Sequence, residues 1–357
     1  MTCQISVLMS TYNDGPFLER AILSILEQSF SDYEFIIIDD NSSDETVSIL
    51  DRYSKLDRRI KIIRNDVNLG LAGSLNRGLE VAQGDWIARM DGDDVSHPQR
   101  FKIQMDYLLK NQLIYLGTGV ELIDKETGRF IKHYHEPLTH GEIAWKLLTS
   151  SAFIHATTIG RKDIILKCGG YNPAYRKYED ADLWRKLIFK GKCANLPDSL
   201  YTYRTVHKPI TPYMEDIIVS VHQAYIRDLI GKDVSRDFIL YLYNPGTLEY
   251  RDLSVKPMEI VEILLKAYQE MDQLNWFQQD DYSRVNARFW ELLRPFPSLF
   301  PEATKKYGQY YWQKMDIVDR ELLYWETKHM PGLLKFFGMF LISPFLLLQK
   351  IKTRLDH

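Results

Sequence analysis

Trp86-Ile87-Ala88-Arg89-Met90 is a mostly apolar run that ends in Asp91-Gly92-Asp93-Asp94. Three carboxylates within four residues repel one another and are costly to desolvate, so packing alone does not account for them. A hard divalent cation does, because carboxylate oxygens are its preferred ligands. A second acidic pair, Asp39-Asp40, closes the run Phe35-Ile36-Ile37-Ile38. Both groups stand at the end of an expected buried strand, which is where open α/β sheets bind ligands. A third acidic group, Glu179-Asp180-Ala181-Asp182, opens a stretch with Ala181, Trp184, Leu187 and Ile188 at helical spacing. A carboxylate at a helix N-terminus is favoured in its ionised form, ready to act as a base at neutral pH. Glu179 beside it would raise its pKa and strengthen it. The plainer alternatives are a helix cap at Asp180 and a turn or cap at Asp40 and Asp44.

Strands and helices must alternate to place these groups together. Ile5 to Met9 reads as a buried strand, followed by the turn Ser10-Thr11-Tyr12-Asn13-Asp14-Gly15-Pro16. Phe17, Ala21, Ile22, Ile25 and Leu26 then share one helical face. The strand at Phe35 to Ile38, a helix through Val47, Leu50 and Tyr53, and a strand at Ile60 to Ile63 follow. A helix bearing Leu71, Leu75, Leu79 and Ala82 leads into the strand at Trp86. This order predicts an α/β fold with a mostly parallel, doubly wound, Rossmann-like sheet. The loops Ser10–Asp14, Asp39–Asp44, Arg64–Gly70 and Asp91–Asp94 should converge on one rim. The first turn lacks G-x-G-x-x-G, and no Walker A sequence occurs, so phosphates are not cradled by glycines.

The 357 residues suffice for one large domain, or for a core domain and a smaller one. With 45% hydrophobic and 26% charged residues the chain reads as globular, and a net charge of −3 does not suggest a nucleic-acid partner. Cys3, Cys168 and Cys193 have no metal-type spacing and read as reduced thiols. Polar Thr2-Cys3-Gln4 runs directly into the first strand, without a secretory leader pattern, so a cytoplasmic location is expected. Lys208-Pro209-Ile210-Thr211-Pro212 marks an expected boundary. It divides a first domain, 1–212, from a largely helical region, 213–330, and a tail, 331–357. In the tail Gly332 to Leu348 is apolar except for Lys335 and Ser343, and Lys350, Lys352 and Arg354 follow. A spanning helix needs about 20 apolar residues. The tail fits an interfacial helix held by basic residues at the inner face of a membrane, or a helix packed on the protein or a partner.

Taken in order, these pieces resemble the inverting family 2 glycosyltransferases of the GT-A fold, of the non-processive type. The resemblance rests on Val7-Leu8-Met9-Ser10-Thr11-Tyr12-Asn13, Ile38-Asp39-Asp40-Asn41-Ser42-Ser43-Asp44, Asn68-Leu69-Gly70-Leu71-Ala72 and Asn76-Arg77-Gly78. It continues through Asp91-Gly92-Asp93-Asp94, Gly169-Gly170-Tyr171 and Glu179-Asp180-Ala181-Asp182-Leu183-Trp184, covering about residues 3–207. It implies transfer of a sugar from a nucleoside diphosphate, UDP being favoured, to a hydroxyl of a glycan or lipid-linked acceptor in surface-polysaccharide assembly. Ser10, Tyr12 and Asp40 would hold the nucleotide, with Arg64, Asn65 and Asn68 as weaker contributors to base or ribose. Asp93 would bind Mn²⁺ or Mg²⁺ directly, and Asp91 would share the metal or hold the ribose. Asp94 would cap the following helix or support its neighbours. Asp180 would be the base, with Glu179 and Asp182 as alternatives. Tyr203-Arg204-x-x-His207 could reach the diphosphate, whereas His133-x-His135 reads as loop and His155 as structural. A nucleotidyltransferase and a non-catalytic binding module are the competing readings. The first would need a glycine-rich basic loop where Ser10–Asp14 stands.

Overall fold

Four strands, β1 (Ile5–Thr11), β2 (Tyr33–Asp39), β3 (Ile60–Arg64) and β4 (Trp86–Asp91), pair in parallel in the order β3-β2-β1-β4. The computed structural model to which they belong describes residues 3–205, 211–243 and 257–293. Every residue of β2 is buried, the reason its apolar run is continuous rather than alternating. The helices α1 (Gly15–Leu26), α2 (Thr46–Leu56) and α3 (Gly70–Val81) form the crossovers. The chain builds outward from β1 to β2 and β3, and α3 then returns it to the other side of β1. That reversal makes the β1/β4 junction the switch point, where open sheets take ligands. Gly78 lets α3 lie close to the sheet, since a Cβ there would come within 2.9 Å of Ile38 and 3.1 Å of Leu8.

Beyond β4 the sheet is mixed. After the two-residue β5 (Val95–Ser96) and α4 (Arg100–Lys110) come β6 (Tyr115–Asp124), β7 (Phe130–Tyr134) and α5 (His140–Lys146). A 3₁₀ turn at His155–Thr157 leads to β8 (Ile159–Arg161), α6 (Lys162–Lys167), α7 (Glu179–Leu187) and β9 (Cys193–Thr205). The short β8 runs antiparallel to both β4 and β6, and joins the parallel half to β6 and β9. A strand of three residues carries too little periodicity to be read from sequence. Val7, Met9, Phe35, Ile37, Ala88 and Met90 belong to the principal core.

Two local expectations are corrected. Asp94 begins no helix, because β5 follows it directly and α4 starts only at Arg100. His133 lies in β7 rather than in a loop, with its Nδ1 3.1 Å from the Ser199 hydroxyl. Exposure of both faces of β7 had removed the apolar alternation by which a strand is recognised. His207 and the tail 331–357 lie outside the described residues.

The chain forms two compact units that part between Tyr225 and Ile226. The first holds the whole sheet. The second includes α9 (Arg236–Tyr243), α10 (Pro257–Gln273) and α11 (Asp281–Leu293), and α8 (Pro212–Ile230) spans the division. Among the described residues, no helix is long and apolar enough to cross a membrane. Cys3, Cys168 and Cys193 are free thiols.

Candidate active site

The register of β1 and β4 sets Ser10 opposite Asp91, so two expected site residues meet at the switch point. The backbone N–H of Asp91 donates to the Tyr201 hydroxyl at 3.1 Å, and its Oδ1 accepts from Arg89 Nη2 at 2.5 Å. Arg89 is 2% exposed, inside a strand otherwise apolar up to Asp91. Its other terminal nitrogen bonds the Met90 carbonyl, while its Nε has no partner. The Asp91 carboxylate and the Tyr171 and Tyr201 rings favour its charge against burial.

Gly92 lies against the Thr11 hydroxyl and the Asp14 carboxylate, where a Cβ would come within 3.1 Å and 2.7 Å. Asp14 Oδ2 accepts from the Thr11 hydroxyl at 2.9 Å and the Tyr12 N–H at 3.3 Å. Burial raises its pKa, and the Asp93 charge adds to that. Asp93 pairs with the Lys125 ammonium. Lys125 and Arg204 both lie over the Phe17 ring, 5.3 and 4.9 Å from its centre. Asp94 Oδ1 accepts from the Arg204 N–H at 2.7 Å, tying β9 to the acidic turn. Its carboxyl is 1% exposed, and burial reinforced by Asp91 and Asp93 pushes its pKa well up.

These groups fit a divalent cation. Asp91 and Asp93 offer hard oxygen donors that remain partly open, with side chains 29% and 21% exposed. Each already draws a cationic side chain to itself. Among the described residues no three acidic, histidine or cysteine side chains form a cage. Two carboxylates completed by substrate phosphates are the arrangement Mg²⁺ commonly uses.

The nucleotide candidates separate into two kinds. Tyr12 is 51% exposed on the rim. Asp40 is buried, and its Oδ1 accepts from Asn65 Nδ2 at 2.7 Å and the Leu69 N–H at 2.8 Å. Its Oδ2 accepts from the Gly70 N–H at 2.9 Å, so Asp40 also satisfies the start of α3. Asn65 further donates to the Ser74 hydroxyl and accepts from Arg77. Asn68 donates to the Asp40 carbonyl at 3.2 Å. Arg64 is turned to Asp51 at 2.6 Å, with its Nε 3.9 Å from Asp39. Asp44 accepts from Thr46 and Gly15 N–H groups, serving two helix starts at once.

Asp180 stands in the first turn of α7. Tyr178, with φ +67°, turns the chain into that helix. Burial pushes the Asp180 carboxyl up to about 6, against bonds from the Ala181 N–H and its own N–H and the Arg89 charge. Glu179 is pushed up to about 7, by burial first and by Asp180 second. Burial thus outweighs the neighbouring carboxylate as the cause. Asp182 is 1% exposed and held by Arg185 and Lys186 at 2.8 and 2.6 Å, which leaves it no opening. His155 Nδ1 lies 4.0 Å from both Glu179 and Asp180, while Nε2 meets the Tyr171 hydroxyl at 3.0 Å. Burial and the Arg89 charge hold its pKa well below the usual value, so the ring is neutral.

The Glycosyl transferase family 2 sequence family matches residues 6–169. The O-antigen biosynthesis glycosyltransferase WbnJ of Escherichia coli is 35% identical over 251 residues, which span 67% of this chain and 94% of WbnJ. This chain belongs to the family 2 glycosyltransferases. An uncharacterized glycosyltransferase of Haemophilus influenzae is 36% identical over 269 residues, covering 72% of this glycosyltransferase and 80% of that one. The S. aureus TarS 1–349 structure in complex with UDP shares the fold, with a TM-score of 0.55 and 19% identity over 86% of this chain and 87% of that one. As a family 2 glycosyltransferase, the chain is an enzyme, and the binding-module and nucleotidyltransferase readings give way.

Proposed function

We propose that this glycosyltransferase is metal-dependent and inverting, and that it moves a sugar from a nucleoside diphosphate, UDP being favoured. The acceptor is a hydroxyl of a glycan or lipid-linked glycan in polysaccharide assembly. The names of its relatives support that setting: WbnJ acts in O-antigen biosynthesis, and a putative teichuronic acid biosynthesis enzyme, TuaG of Bacillus subtilis, is 30% identical over 212 residues. The observation that carries the chemistry is electrostatic. Asp180 on α7 feels the charges of Asp91, at the switch point, and of Arg89, the buried cation that pairs with Asp91.

Asp93 would hold Mn²⁺ or Mg²⁺, with Asp91 sharing it or holding the ribose. Bound there, the ion would offset the charge that gathers on the departing diphosphate. Arg89 fixes the Asp91 carboxylate and balances its charge within the protein. Lys125 and Arg204 add positive charge on the same side. Tyr12 offers an exposed ring on which a base can stack, and Ser10 lies beside it. Asp40 is held still by three protein donors, and each carboxylate oxygen has two lone pairs, so Oδ2 can still accept a uracil N3–H. Asn68 bonds the Asp40 carbonyl, and Arg64 lies near Asp39, so both stand close to Asp40. Asp180 takes the proton from the acceptor hydroxyl as that oxygen attacks opposite the leaving group. A base of this pKa is ionised at neutral pH and still basic enough to work.

The catalytic domain in this reading is 1–212, followed by the helical region 213–330. The tail, 331–357, would rest on the inner face of a membrane through its apolar and basic residues. A binding screen of UDP-, GDP- and dTDP-sugars with Mn²⁺ present tests the donor. UDP-sugars should bind most tightly, and preference for another nucleotide would refute the UDP assignment.

A further inference from the structure

A cavity of about 700 Å³ opens between the Asn68-Leu69-Gly70 corner and the loop that carries Arg176 and Lys177, with Tyr213 at its edge. Its walls come from both halves of the proposed site. The Asn68–Gly70 corner wraps Asp40, through bonds from Asn68, Leu69 and Gly70 to that residue. Arg176 and Lys177 are separated from Glu179-Asp180 by Tyr178 alone, and the Lys177 charge is felt at Glu179. The two basic side chains are exposed, and neither has a carboxylate within ion-pair distance among the described residues. No acidic residue lines the cavity. The Tyr213 hydroxyl lies 3.5 Å from the Arg176 N–H and its ring is 48% exposed, so it borders the opening.

Two adjacent exposed cations, neither in an ion pair among the described residues, concentrate positive charge locally in a chain of net charge −3. A guanidinium and an ammonium bind phosphate or carboxylate oxygens by charge-assisted hydrogen bonds. An exposed tyrosine ring adds an apolar face and a polar edge, the combination that suits a sugar ring.

We propose that this cavity is the acceptor subsite, and that the acceptor carries an anionic group, a phosphate or a carboxylate, bound by Arg176 and Lys177. The inference rests on the transferase reading above, in which Asp180 receives the acceptor proton. An acceptor hydroxyl at Asp180 then has its charged group three to four residues back along the same loop. The donor's own diphosphate is the competing source of negative charge.

Calorimetric titration of the full chain separates them. UDP with Mn²⁺ is titrated first, into the wild type and into R176Q/K177Q. The UDP-saturated proteins are then titrated with inorganic pyrophosphate, glucuronate and neutral glucose. Pyrophosphate or glucuronate should bind the UDP-loaded wild type, and glucose should bind more weakly. The double substitution should weaken the anion about tenfold while changing UDP affinity less than about twofold. The better anion identifies the group as phosphate or carboxylate. A large loss of UDP affinity in R176Q/K177Q would assign the cations to the donor and overturn the proposal. Equal anion binding by both proteins, or no anion binding by the wild type, would overturn it too. If the wild type does not bind UDP, the donor reading fails, and the same anion titrations without nucleotide still decide the subsite. Matching melting curves of the two proteins guard against misfolding, and R176A/K177A provides a second variant should the first unfold.

Discussion

Asp180 carries the sharpest chemical consequence at the scale of single residues. Its carboxyl is pushed up to about 6, chiefly by burial. Below that pH it holds a proton and cannot accept another, whereas above it the base is free. Transfer should therefore rise through about pH 6 and level off near neutrality. Glu179, pushed up to about 7, titrates with it, so the pair broadens the rise. Asp180→Asn should lower kcat by about 10²–10⁴-fold, the range a positioned base contributes, and flatten the acid limb. A pH–rate profile of both proteins checks this, and full transfer by Asp180→Asn would dismiss it as the base. The acidic turn stands out in sequence because three carboxylates within four residues, directly after an apolar strand, are costly to bury without a cation. Arg89 does not, because it sits within an apolar run and its partners, Asp91 beside it and Tyr171 and Tyr201 far along the chain, appear only on folding. Lys125 was missed for a related reason: it lies just past a strand end, in a polar segment that reads as solvated surface. Of the two expectations for Asp94, the cap fails because β5 rather than a helix follows it, and its carboxylate instead fastens β9.

Individual elements fared differently in the two halves of the sheet. The strands and helices from β1 to β4 were readable because β1, β2 and β4 are buried or nearly so, β3 is rich in isoleucine, and each helix has one apolar face. The mixed half was not, since β5 and β8 are two and three residues long and owe their pairing to long-range partners. One link between elements explains two sequence motifs at once. Asn76 on α3 donates to the Tyr171 carbonyl at 2.7 Å and accepts from the Tyr171 N–H at 2.9 Å. Gly170, at φ +66°, lies against it, and a Cβ there would come within 2.8 Å of Asn76 Oδ1. Asn76-Arg77-Gly78 and Gly169-Gly170-Tyr171 are thus the two sides of one joint. Tyr171 in turn meets His155, beside the Glu179 and Asp180 carboxylates. Asn76→Ala should cost about 2 kcal/mol, from two part-buried hydrogen bonds at about 1 kcal/mol each. A shift of the urea midpoint measures it, and an unchanged midpoint would mean that the joint does not hold α3 to the turn.

For the whole molecule, the β4–β8–β6–β9 continuation of the sheet would join the proposed nucleotide wall on the parallel half to the proposed base on α7. The tail would then serve location rather than chemistry. A chain ended before Pro331 should keep donor cleavage and lose recovery with anionic lipid vesicles in a sedimentation assay, and unchanged recovery would rule out the tail as the anchor. The central claim is that the acidic turn works on a nucleotide sugar, and UDP release from a UDP-sugar with Mn²⁺ present tests it most directly. The wild type should release UDP, chelation should stop it, and Asp93→Ala should reduce it by about 10²-fold or more, the scale of losing a main electrostatic stabiliser of the leaving group. Release by Asp93→Ala at the wild-type rate would contradict the account.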